Sequence, residues 1–124
     1  MFLGLCATSV AQENPATLSP EDARQCTELT KVMARNLYLY DEEYLKLKVL
    51  NEKTMLKAQE ISKGYQNAPT QREAKLKELS TEFENEVKKM LDEQRLVALA
   101  SYKINASLWL NTPQALKSLQ GSIE

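Results

Sequence analysis

Residues 37 to 65 read LYLYDEEYLKLKVLNEKTMLKAQEISKGY, a long segment dominated by one helical reading. Advancing about 100° per residue, Tyr44, Leu47, Leu50, Thr54, Met55, Ala58, Ile61 and Tyr65 fall on one broad face, which requires a core to pack on. Leu45, Val49 and Leu56 fall within about 40° of one another on the other side, set off by Lys46, Lys53, Lys57 and Glu60. A second apolar stripe requires a second neighbour. That neighbour is either another helix, in a bundle with this helix at its centre, or a protein partner, and the three residues form the candidate protein-binding stripe.

The composition agrees with helix. At 124 residues with 43% hydrophobic content, the chain makes one domain with a modest core. Gly 3 and Pro 4 are few, runs of β-branched and aromatic residues are absent, and Leu, Lys, Glu, Gln and Ala dominate. The fold class expected is all-α. Lys plus Arg 16 against Asp plus Glu 17 leaves a net charge of -1 with interspersed signs, which argues against a nucleic-acid partner.

The first eleven residues, MFLGLCATSVA, pass from an apolar run into small residues, and Ser9-Val10-Ala11 fits a signal-peptidase site before Gln12. Residues 1 to 11 therefore read as the remnant of a secretory signal, lacking its basic n-region, cleaved between Ala11 and Gln12. A short apolar helix packed on the domain is the alternative. Eleven residues cannot span a bilayer, and Leu5 is large for the residue before a lipidated cysteine at Cys6. Residues 12 to 18, QENPATL, read as an extended leader, and residues 19 to 124 as a single helical domain.

About four helices are expected. The first, about 20 to 36, opens with Ser19 as N-cap, Pro20 at N1, and Glu21 and Asp22 against the positive end of the helix dipole. Its apolar face carries Cys26, Leu29, Thr30, Met33 and Leu37. Residues 36 to 41 hold no Gly or Pro, so a continuous helix from 20 to 63 is the alternative to a break near Leu39 and Tyr40. With Asp41 as cap, the second helix spans about 41 to 63 and ends at Gly64, the residue suited to a left-handed C-terminal position. Thr70-Gln71-Arg72-Glu73 reads as a capping box for a third helix over about 70 to 110. Such a helix would be about 60 Å long, against about 35 Å for a compact domain of this size, so the helix bends or the molecule is elongated. Thr112-Pro113 opens a short fourth helix, about 113 to 120, which Gly121 stops.

No residue proposes a reaction. With zero histidines, a Ser/His/Asp or Cys/His arrangement is impossible and the commonest metal ligand is missing, so neither an enzyme nor a metal site is expected. Runs such as Asp41, Glu42, Glu43 read as helix-dipole and solvated-face carboxylates. After signal removal Cys26 is the single cysteine, either a buried free thiol or an intermolecular bridge. Asn105-Ala106-Ser107 matches the glycosylation pattern but falls inside the third predicted helix.

A signal remnant followed by LSPEDARQCTELTKVMARNLYLYDEEYLKLKVLNEKTMLKAQEI resembles the LTxxQ-motif family of small periplasmic helical proteins, the Spy/CpxP-like proteins. In that family Leu-Thr-x-x-Gln opens a helix, Thr at N-cap and Gln at N3. Here Leu39, Tyr40 and Glu43 stand at the matching positions, with Tyr for Thr and Glu for Gln. A second, shorter copy lies at Leu91-Asp92-Glu93-Gln94, where Leu91 and Gln94 match. The resemblance implies a periplasmic, cofactor-free helical protein, a bent homodimer among its forms. It would bind unfolded or partner proteins as an ATP-independent chaperone or an envelope-stress adaptor. A structural subunit docking one specific partner through the second helix is the alternative.

Overall fold

Ser19 does what its position predicts: extended at φ -64, ψ 160, it accepts a hydrogen bond at its hydroxyl from the amide of Asp22, and Pro20 follows at the first helical position. The computed structural model describes residues 17–121, so the signal remnant and the cleavage pair Ala11 and Gln12 lie outside the described residues. Within them the chain forms six helices and no strand: α1 Pro20–Asn36, α2 Asp41–Gly64, α3 Pro69–Lys88, α4 Glu93–Ala100, α5 Ser107–Leu110 and α6 Thr112–Gly121.

α2 is central. It packs on α1, α3 and α5, while α6 closes on α1 and α5. Its inward face buries Leu47, Asn51, Thr54, Met55 and Ala58. Against it lie Cys26, Leu29 and Met33 of α1, Phe83 and Val87 of α3, and Leu108 and Trp109 of α5. Burying a Leu, Met or Phe side chain fully stabilises by about 1.5–3 kcal/mol over leaving it exposed, so this cluster carries most of the folding energy. Phe83 and Trp109 meet edge to face, ring centroids 4.8 Å apart.

The helix expected over 70 to 110 is three helices. At its first break the amides of Lys89, Met90 and Leu91 bond to the carbonyls of Glu86, Val87 and Lys88, tightening the last turn of α3. Asp92 then stands extended at φ -82, ψ 179 and caps α4 by accepting from the Arg95 amide at 3.0 Å. The second break holds Asn105 and Ala106 of the glycosylation-like triplet, and Ser107 opens α5: Asn105 is exposed and its Oδ1 accepts from the Ser107 amide at 2.9 Å. Past these two breaks Trp109 lies against α2. In these short pieces Leu96, Leu99, Leu108 and Trp109 face the core, whereas Val97 and Leu110 stay exposed.

Four cap assignments differ from expectation. Tyr40, not Asp41, is the N-cap of α2. α3 begins at Pro69 after Ala68, which leaves Thr70 inside the first turn. Thr112 turns its hydroxyl back to the Leu108 carbonyl at 2.8 Å instead of capping α6. No described glycine has positive φ, Gly64 included. The left-handed position falls instead to Tyr38, at φ 57. There α1 ends in a Schellman turn, the Leu39 amide bonding to Ala34 and the Tyr38 amide to Arg35. A residue with a Cβ gives up roughly 1–2 kcal/mol in that conformation.

One buried polar chain crosses this core. The indole N–H of Trp109 donates to Asn51 Oδ1 at 2.9 Å, Asn51 Nδ2 donates to Thr30 Oγ1 at 3.0 Å, and Thr30 Oγ1 donates to the Cys26 carbonyl at 2.8 Å. Asn51→Ala strands the indole N–H and removes the donor to Thr30, at about 1–3 kcal/mol for each unpaired group. We expect thermal melting of this variant to move down by roughly 10 °C or more. A shift within a degree or two of wild type would show that the chain of bonds contributes nothing.

Candidate protein-binding face

The rotation that turns Leu47, Asn51 and Ala58 inward turns Leu45, Val49 and Leu56 outward. Leu45 is 60% exposed and Val49 57%, whereas Leu56 is half-buried. On one flank the Lys48 ammonium pairs with Glu52 at 2.9 Å. On the other flank, toward α3, stand Lys46, Lys53 and Lys57.

Beside Val49 a surface groove of about 500 Å³ opens between α2 and α3, walled by Glu42, Lys46, Val49 and Lys53 on one side and Glu86, Lys89 and Met90 on the other. A second depression of about 330 Å³ continues it past Lys53 and Lys57, which face Glu82 and Glu86. The seam therefore offers charges of both signs next to an apolar ridge. Such a surface suits a polypeptide bearing apolar side chains and mixed charge.

The two motif-like stretches meet in space. Tyr40 is the N-cap of α2 and Glu43 its N3 residue, whose carboxylate accepts from the Tyr40 amide at 2.9 Å. Arg95 of α4 forks onto that same carboxylate at 2.5 and 2.9 Å, and its Nη1 also donates to the Tyr38 carbonyl at 3.2 Å. The guanidinium lies over the Tyr40 ring, 4.9 Å from its centre, and is further held by the Asp92 carboxylate. Both ionic side chains are largely covered, Arg95 at 12% exposure and Glu43 at 16%. Leu39 and Leu91 pack on the core, whereas Gln94 is exposed and stands at N2 of α4, one position short of the N3 that Arg95 fills. Sequence reading passed over Arg95, although an Asp three residues before it was the available sign of a cap. It also passed over Asn51, which falls squarely on the inward face.

Cys26 is buried and unpaired, and burial pushes its thiol up to about 12. A bridge to another chain would require α1 to leave the core first. Among the described residues no group of three His, Cys, Asp or Glu is placed to hold a metal ion, and no helix is long and apolar enough to cross a membrane. Comparison of the chain with protein-family models, with curated proteins and with solved structures finds no match.

The Arg95 guanidinium holds the Glu43 carboxyl below its ordinary range, against an opposing push from burial. A carboxylate depressed in the folded state adds stability that is present above its unfolded value, 4.5, and is lost as pH falls through the folded one. Glu43→Gln should therefore lower the melting temperature at pH 7 and shrink the drop between pH 5 and pH 3. If wild type and variant melt in parallel across that range, the pair is not what acid breaks.

Proposed function

We propose that this chain is an exported, non-enzymatic helical protein that holds apolar segments of other proteins on the outer face of α2 without ATP, as a chaperone-like or envelope-stress adaptor protein. The observation that carries this reading is the exposure of Leu45 and Val49 on a helix that spends its other face entirely on the core. Lys46, Lys53 and Lys57 beside them keep the free protein soluble and meet acidic client segments. The absence of histidine from the whole sequence supports a binding role over catalysis. The place of Tyr40 and Glu43 at N-cap and N3 of α2 supports the family resemblance. A second reading, docking of one specific partner, is favoured by the groove beside the stripe, whose mixed Lys and Glu walls suit a partner of defined charge pattern.

Leu45→Ser with Val49→Ser should leave stability within about 0.5 kcal/mol, because neither side chain is buried. The same variant should lose suppression of aggregation of a thermally unfolding client, followed by light scattering without nucleotide. Suppression by wild type should also weaken as salt rises. Unchanged scattering with wild type at several-fold excess removes the chaperone reading. Full activity in the double variant removes the stripe.

A further inference from the structure

The turn between α1 and α2 runs against its own sequence. Residues 36 to 41, Asn-Leu-Tyr-Leu-Tyr-Asp, contain neither Gly nor Pro, so no covalent feature interrupts a helix from Pro20 to Gly64. The chain nevertheless reverses there, and it does so by placing a tyrosine at φ 57, where glycine is the usual occupant. The Tyr38 side chain itself gains no burial in exchange, being 72% exposed, while Leu37 beside it is buried.

The turn is held partly from a distance. Arg95, on α4, donates to the Tyr38 carbonyl and pairs with Glu43, while Glu43 accepts from the Tyr40 amide. Straightening would draw the Tyr38 carbonyl and the Tyr40 amide into the regular helical ladder, so that both groups leave this clasp with new partners. The bonds that tie α1 to the rest of the molecule run between side chains of separate segments. They include Asp22 to Gln59, Thr30 to Asn51 and Asn36 to Tyr102. A second copy of the chain presents the same acceptors and donors in the same geometry, as well as the same apolar seat on α2 and α6.

We propose that the α1–α2 turn is a strained hinge whose straightening exchanges α1 between two copies of this chain. In the exchanged form residues 20 to 64 run as one helix, and each α1 seats on α2 and α6 of the other copy. Contacts of α1 with its seat are kept and the left-handed residue is relieved, so the two forms are separated mainly by the Arg95 clasp, by the packing of Leu37 and Leu39 within the turn, and by the entropy of association. The outward stripe of α2 lies away from α1, which makes this proposal independent of the client-binding reading.

The test uses the full chain with Cys6→Ser and a reporter pair, Asp22→Cys and Gln59→Cys, at positions whose side chains bond at 2.9 Å. After incubation over a range of protein concentrations and mild oxidation, non-reducing electrophoresis separates the two forms. The reporter disulfide closes within one chain in the unexchanged form and joins two chains after exchange. The share of covalent dimer should rise with concentration. Tyr38→Ala keeps the left-handed strain and favours helix, so it should raise that share; Tyr38→Gly relieves the strain and disfavours helix, so it should lower it. The two exchange constants should differ about tenfold or more. Arg95→Met should shift the balance in the same direction as Tyr38→Ala. Reporter disulfides that stay within one chain at every concentration overturn the proposal. So do Gly and Ala variants that move the dimer share in the same direction, whatever Arg95→Met does to folding.

Discussion

A single carboxamide sets how three helices meet. Asn51 points into the core from the middle of α2, gives its N–H to Thr30 on α1 and takes the indole N–H of Trp109 on α5. Apolar side chains alone would tolerate several rotations and slips of these helices, because dispersion and burial carry little direction. A buried amide tolerates few, since any slip leaves a donor or acceptor unpaired in a low-dielectric interior. Among the described residues no buried side-chain nitrogen or oxygen lacks a partner, so the network is satisfied and the packing is directed.

With Asn51 fixing its centre, α2 is tied at both ends by side chains from elsewhere. Glu43 near its start pairs with Arg95, and Gln59 near its end donates to Asp22. All three anchors use the inward or lateral faces. The outer face contributes no such anchor, and that is why an apolar ridge can sit there without entering the folding balance. Under the proposed function, stability and recognition fall on different sides of one helix, and residues on one side can vary with little effect on the other.

Much of this was legible in the chain. Periodicity alone placed Leu47, Met55 and Ala58 inward and separated them from Leu45 and Val49, because a 3.6-residue repeat is a property of the backbone and survives any packing. Ser19 and Pro20 gave the start of α1 because a cap is local chemistry. The break after Lys88 was legible only as a bend that helix length demanded, with Asp92 as the available cap, and the break after Ala100 was not legible, since it uses neither Gly nor Pro. Tyr38 was missed for a related reason: left-handed turns are read from glycine, and here distant groups help impose one on a tyrosine. Arg95 lies 52 residues from Glu43, a pairing that no local pattern announces. The character of the outward stripe could be stated as a choice between core and surface, and only the positions of α1 and α3 decide it.

The same long-range bonds impose an order of assembly. Asn51 to Trp109 spans 58 residues, Glu43 to Arg95 52 and Asn36 to Tyr102 66. Individual helices form in about a microsecond, but contacts this distant in sequence must first bring the chain ends of a large loop together. A chain emerging vectorially, from a ribosome or a translocation channel, can therefore build α1, α2 and α3 while the Asn51 amide still lacks its indole donor. Until Trp109 arrives, α2 is a helix with both apolar faces incompletely covered, and the nascent protein resembles the kind of segment its finished form is proposed to hold.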